Sequence, residues 1–234
     1  GRAEASYGSA LPVILAVTPT TRAAQELSAS LGSILSPARV DEFPSWETLP
    51  HERLSPRSDT VGRRLAVLRR LVHPDAEHPG YGPLDVVVAP VRAVLQPIVK
   101  DLGDRPPLVL RTGTERDLHS VVADLTESGY ARVDMVERRG EFAVRGGIVD
   151  LFPPTEHHPL RVEFWGDTVE EVRWFRVADQ RSLEVSEHGV WAPACRELLL
   201  TDQVRARADK LSNDLPGVSD LLHKMSQGIA VEGM

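Results

Sequence analysis

Four things are scarce or missing in this chain, and each absence removes a class of function. A single cysteine, Cys195, stands among 234 residues. That excludes an internal disulfide framework and fits a reducing compartment, so a cytoplasmic location is expected. Cys195 precedes a short apolar, strand-like run and reads as a buried structural thiol rather than a nucleophile. No stretch approaches the ~18 consecutive apolar residues of a membrane span, and no signal peptide is visible, so no membrane partner is expected. Positive charge is in deficit: 27 Lys and Arg against 34 Asp and Glu leave a formal charge of −7, and no global basic field draws the chain to nucleic acid. Finally, no G-x-x-x-x-G-K-[ST] loop occurs, although a nucleotide motor needs its backbone amides and lysine to hold phosphates.

Other catalytic signatures are equally thin. The strand-to-helix turn at 17–22 has neither glycine nor lysine, and Pro19 removes one of the amides a phosphate would need. Asp41 and Glu42 follow Val40, but Phe43-Pro44 come straight after, so the acidic pair is assigned to a loop. Neither a G-x-S-x-G elbow nor an H-E-x-x-H pair is present. His157-His158 lie in a proline-bounded loop with only Glu156 near, too few ligands for a metal, and His51, His73 and His78 fall in polar loops. No catalytic, cofactor-binding or metal-binding residue is assigned, and the chain reads as non-enzymatic.

The composition, 41% hydrophobic and 26% charged, is that of an ordinary globular chain long enough for two small domains. Residues 11–110 alternate strand and helix. The run at 12–17 is apolar throughout, as in a buried strand. The stretch 22–31 has helical spacing, with Ala23, Leu27 and Leu31 on one side, caps at 18–21 and Gly32 as its stop. A second helix is expected at 61–72, with Leu65, Leu68 and Leu71 inward and Arg63, Arg64, Arg69 and Arg70 outward. Those arginines form either a solvated face or a contact to a phosphate backbone. A buried strand at 84–89, a helix-like run at 91–99 broken by Pro97, and a short strand at 108–110 complete an α/β pattern. Residues 76–83 read as a surface loop. After Arg105-Pro106-Pro107 the pattern changes: a helix over 115–129 carries Leu118, Val121, Val122 and Leu125 on one stripe, and strands follow to 190. Helical stretches return at 201–211 and 218–227. Both ends read as cut, as in a piece of a longer protein.

The densest punctuation lies at 140–175. A β-rich run at 141–152 is interrupted by Gly146-Gly147 and stopped by Pro153-Pro154, which have no ladder donors. A strand at 159–165, the tight turn Gly166-Asp167 and a strand at 168–175 form a hairpin. On the 159–165 strand, Leu160, Val162 and Phe164 point to a core, while Arg161, Glu163 and Trp165 point to the opposite face. Trp and Arg concentrate binding energy at interfaces, and Arg145 lies beside two glycines that leave an approaching surface unobstructed. One reading is a protein-docking face. The other folds Trp165 over the hairpin and pairs Arg161 with Glu163 or Glu170 in water.

EFAVRGGIVDLFPP at 141–154 with PLRVEFWGDTVEEVRWF at 159–175 resembles the second domain shared by the excision-repair protein UvrB and the bacterial transcription-repair coupling factors. DEFPSWETLPHERLSPRSDTVGRRL at 41–65 is very close to the coupling factors, and VTPTTRAAQEL at 17–27 resembles the helicase segment after the first nucleotide motif. DQRSL at 179–183 and ACRELLL at 194–200 also fit, so the resemblance is collinear over nearly the whole chain. It implies a degenerate, RecA/helicase-like parallel α/β domain at 1–106. An inserted α+β domain that binds UvrA, an antiparallel sheet plus helix, would occupy 107–193, and 194–234 would begin a further domain packed with the first. UvrB carries an aromatic-rich hairpin that grips a DNA strand. Residues 43–56 hold two aromatics and pass directly into a helix, which favours the coupling factors, with Trp46 anchoring the segment on the α/β core.

By the same resemblance the chain recruits UvrA to RNA polymerase stalled on damage. The contact residues carried over are Arg145, Arg161 and Trp165, the last a phenylalanine in relatives, and Arg173 flanks them on the third strand. An ATP- and magnesium-dependent motor, contacts to DNA and RNA polymerase, and a carboxy-terminal domain masking the docking face would all lie elsewhere in the parent protein. Two alternatives remain: half of an ATP-driven helicase whose phosphate loop lies upstream, and a plain DNA-binding domain.

Overall fold

Thr18-Pro19-Thr20-Thr21 breaks an apolar run and caps the helix that follows, and the fold begins from that junction. The computed structural model describes residues 12–48, 56–78, 80–99, 102–103 and 105–229. β1 (Ile14–Thr18) leads to α1 (Thr21–Ile34), whose first turn is closed by the Thr20 hydroxyl accepting from the Ala23 amide at 3.1 Å. Next come β2 (Val40–Glu42), α2 (Ser58–Val72), β3 (Val86–Pro90) and α3 (Val91–Leu95). The three strands form a parallel sheet in the order β1-β3-β2. Central β3 is buried along its whole length, and its side chains serve two layers alternately. Val86 and Val88 meet Ala24, Leu27 and Leu31 of α1; Val87 and Ala89 meet Val67 of α2, Ala93 of α3 and Phe43.

Several expectations fail here for physical reasons. The 12–17 run is not buried: among the described residues β1 sits at the edge of its sheet and pairs with β3 alone, and Ile14, Leu15 and Val17 are exposed. Gly32 does not end α1, which runs on to Ile34; a helical glycine costs only about 1 kcal/mol. Asp41 and Glu42 belong to β2 rather than a loop. On α2, Leu71 faces outward, whereas Arg64, Arg69 and Arg70 are buried and only Arg63 is exposed. Residues 49–55, including His51, lie outside the described residues.

The chain continues through β4 (Leu108–Leu110), α4 (Leu118–Glu127), β5 (Ala131–Arg132), β6 (Glu141–Arg145), β7 (Ile148–Leu151), β8 (Leu160–Trp165), β9 (Thr168–Phe175), β10 (Ser182–Val185) and β11 (Val190–Ala192), then α5 (Asp202–Ser212) and α6 (Ser219–Ser226). Among the described residues, β5 to β10 form a six-stranded sheet in the order β10-β9-β8-β7-β6-β5. It is antiparallel except for a parallel pairing of the two-residue edge strand β5 with β6. β4 and β11 pair separately. The run at 141–152 is two strands rather than one, because Gly146, at φ 58°, turns β6 back on β7. Arg145 is therefore one strand removed from β8. α4 lays Val121 and Leu125 on the inner sheet face, against Phe142, Val149, Leu151, Leu160, Val162 and Val172.

The two sheets are joined by close packing. A Cβ on Gly62 of α2 would fall 2.3 Å from Cβ of Pro154, just beyond β7. The 76–83 segment is a surface loop, with Ala76, Glu77, Gly80 and Pro83 exposed, but it is anchored: Tyr81 is buried, stacks on Trp191 at 4.1 Å, and its hydroxyl lies 2.7 Å from both Thr155 Oγ1 and Glu156 Oε1. Gly62→Ala tests this packing with a clear sign. Helix propensity alone would stabilise the variant by about 1 kcal/mol, whereas overpacking against a proline ring costs about 1–3 kcal/mol. Thermal denaturation should give a lower Tm than wild type; an equal or higher Tm would show that α2 and the Pro153-Pro154 turn separate freely.

Candidate protein-docking face

The outer face of the six-stranded sheet follows from strand alternation. Leu160, Val162 and Phe164 of β8 point inward to α4, so Arg161, Glu163 and Trp165 point outward. Register aligns Asp150 of β7, Arg161 of β8 and Arg173 of β9 in one row, with Ile148, Glu163 and Glu171 in the next. One end of this face is covered: Phe175, Ala143 and Phe152 pack with Val133, Val136 and Val177. The other end, toward the Gly146 and Gly166 turns, is open. Trp165 stands there 80% exposed, which rules out its folding over the hairpin.

The arginines are not simply solvated. Asp150, 1% exposed, accepts from Arg161 Nε at 2.7 Å on Oδ1 and from Arg161 Nη2 at 2.9 Å on Oδ2. Its Oδ2 also accepts from Arg145 Nη2 at 3.1 Å. Arg161 therefore pairs with a buried aspartate, not with Glu163 or Glu170 in water. Its guanidinium lies 4.9 Å over the Phe175 ring and reaches the Gln180 carbonyl at 3.5 Å, leaving the side chain 17% exposed. The hydrogen bond to Asp150, set against burial, raises the Arg161 pKa and keeps the group charged. Arg145 is 55% exposed. Arg173 pairs with Glu171 of its own strand. Gly147 serves the sheet rather than a visitor, since a Cβ there would lie 2.8 Å from the Phe164 carbonyl oxygen.

Sequence reasoning brought Arg145, Arg161, Trp165 and Arg173 to one face but missed Asp150. The available signal was an acid in the apolar stretch Ile148–Leu151, on the outward parity with Ile148. The remaining candidates resolve otherwise. The Thr20 cap occupies the N-terminus of α1. Cys195 is buried and its thiol is pushed up to about 12, mainly by desolvation, so it is no nucleophile at neutral pH. His157 and His158 are exposed, and no group of three or more His, Cys, Asp or Glu among the described residues could hold a metal. None of the described helices is long and apolar enough to cross a membrane.

Comparison with known proteins decides the family. A family model described as "UvrB interaction domain" matches residues 108–196. A transcription-repair-coupling factor of Mycobacterium tuberculosis is 55% identical over 94% of this chain, and one of Bacillus subtilis is 31% identical over 92%. The chain belongs to the transcription-repair coupling factor family. It corresponds to the amino-terminal region of these factors and spans about 18% of the length of either relative. The UvrABC system protein B of Bacillus cereus is 29% identical over 45% of the chain and 16% of its own length.

In this coupling-factor region the loop anchored by Tyr81 also holds the half-buried His78, whose ring is 4.3 Å from Tyr81 and 5.3 Å from His188. Burial first, and the neighbouring His188 second, lower the His78 pKa from 6.5 to about 4. The folded chain thus binds fewer protons than the unfolded one between those values. The stability this site contributes is full above pH 6.5, falls as pH drops, and is gone below about 4. Proton NMR should show the His78 imidazole titrating near pH 4; a midpoint near 6.5 would mean that the loop does not seat on Trp191.

Proposed function

We propose that this chain is a non-catalytic module that recruits UvrA on behalf of a transcription-repair coupling factor, linking a stalled RNA polymerase to nucleotide excision repair. The observation that carries the reading is an indole left 80% exposed on the same outward sheet face as an arginine pair ordered by a buried aspartate. Large aromatics and arginines set together are the usual anchors of an interface. The UvrB interaction domain match spans the same strands.

In this reading the organisation is a degenerate helicase-like α/β domain over 1–106, an inserted UvrA-binding domain over 107–193, and the start of a further domain at 194–234. The Arg64–Glu197 ion pair supports the return of the chain to the first domain, because it joins α2 to the segment after β11. The chain itself takes no cofactor. ATP, magnesium, DNA and RNA polymerase are handled by other parts of the parent protein, and a carboxy-terminal domain covers the docking face until the motor engages. Such covering makes recruitment conditional, since UvrA binds only the open state.

Titration calorimetry of the chain with purified UvrA tests the reading. Trp165→Ala should weaken binding by about 2 kcal/mol or more, roughly 30-fold in Kd, with Tm close to wild type because the indole is exposed. A folded wild-type chain that does not bind UvrA, or a Trp165→Ala variant with unchanged affinity, would overturn it.

A further inference from the structure

We propose that Asp150 is the positioning residue of the docking face: its buried carboxylate holds Arg161 in place and aims Arg145, which alone presents its guanidinium to a carboxylate on the partner. The inference rests on the recruitment reading above and divides the labour among the arginines, which that reading treats alike.

The geometry gives the three groups different capacities. Arg161 donates through Nε and Nη2 to both oxygens of Asp150, the bidentate arrangement that best fixes a guanidinium plane. Its Nη1 reaches the Gln180 carbonyl and its face lies over Phe175, so little of it is left for a visitor. Gln180 is itself fixed, with φ 58° and its side-chain amide donating to the Val177 carbonyl at 2.9 Å. Arg145 is held differently. One of its five N–H donors meets Asp150 Oδ2, and its side chain is more than half exposed at the rim of the Gly146 turn. Asp150 carries one negative charge against the two positive charges of Arg145 and Arg161, so the triad keeps one net positive charge, displayed at Arg145. Arg173 is already paired with Glu171. The fitting partner surface is a single carboxylate next to an apolar slot for Trp165.

A buried aspartate between two arginines could equally serve stability alone, so the test needs a readout that stability does not move. UvrA affinity of the chain is measured by calorimetry for wild type, Asp150→Asn, Arg145→Ala and the double variant, with folding followed by circular dichroism. Asp150→Asn in a folded chain should bind about ten-fold or more weakly, and adding it to Arg145→Ala should cause little further loss. Combined with Trp165→Ala it should instead be additive, because Asp150 does not hold the indole. A folded Asp150→Asn chain that binds like wild type, while Trp165→Ala does not, overturns the positioning role and leaves the recruitment reading intact. Full additivity between Asp150→Asn and Arg145→Ala overturns it too. A wild-type chain that fails to bind UvrA removes the recruitment reading itself. Should Asp150→Asn not fold, Asp150→Leu combined with Arg161→Met removes both buried charges together, a change that buried ion pairs often tolerate. In that background Arg145→Ala should add little; a further loss as large as in wild type overturns the proposal.

Discussion

A guanidinium with no solvent exposure must find its counter-charge inside the protein, and Arg64 is that group. It donates to Glu197 and to the Pro44 carbonyl at 2.8 Å, and lies 4.3 Å over Phe43 and 4.9 Å over Trp46. Trp46 Nε1 donates to the same Glu197 oxygen at 2.8 Å, and the Trp46 amide donates to Gln96 Oε1 at 2.8 Å. One buried charge thereby collects α2, the segment after β2, the end of α3 and the chain beyond β11. Removing either partner would leave the other charge buried and cost about 3–5 kcal/mol. The core of the first sheet is thus closed by a residue that enters the chain after the second sheet is complete. Tyr81 on Trp191 and Gly62 on Pro154 pack the same junction without charge.

What the sequence made legible is what local chemistry decides. The β8–β9 hairpin is readable because alternation sets its faces and Gly166, at φ 60°, supplies its turn. β3 is readable because its apolar run is unbroken, as a strand buried on both faces requires, and α4 because its apolar residues keep one helical period. Burial of the α2 arginines was not readable. Four arginines on a helix look alike in sequence, and only the fold brings Glu197 to Arg64 and Asp41, with the Ala38 and Gly82 carbonyls, to Arg70. The β1 expectation fails for the opposite reason: its composition suits a central strand, but exposure depends on what packs over a strand, and the other edge strand, β2, is buried where β1 is open.

The docking face shows the same division. Parity along β8 sent Arg161 and Trp165 outward, and Trp165 is open to solvent. Parity could not say that Arg161 would meet an acid from the neighbouring strand. That depends on β7 lying between β6 and β8, and hence on reading Gly146-Gly147 as a turn rather than an interruption. A β-bulge between Glu163 and Phe164 shifts the register, leaving Glu170 as the extra, exposed residue on β9. The Arg161–Glu170 pairing in water is excluded by that geometry and by the buried aspartate.

The chain carries a formal charge of −7, yet its proposed docking face is centred on arginines. For an acidic partner surface the long-range field of this chain is repulsive or neutral, and salt screens it beyond about 8 Å at physiological ionic strength. In the proposed recruitment, the net charge of this chain would therefore not steer the partners together. Affinity has to come from contacts made after collision: the area of one exposed indole, and guanidinium donors whose directions are fixed before the partner arrives. Pre-fixing matters because ordering a long side chain at an interface costs about 0.5–1.5 kcal/mol. A carboxylate sunk in the sheet meets that cost at folding, and the inner face packed on α4 keeps the strands that carry it rigid. For the recruitment proposed above, such an arrangement would place the strength of the complex in a slow off-rate rather than a fast on-rate.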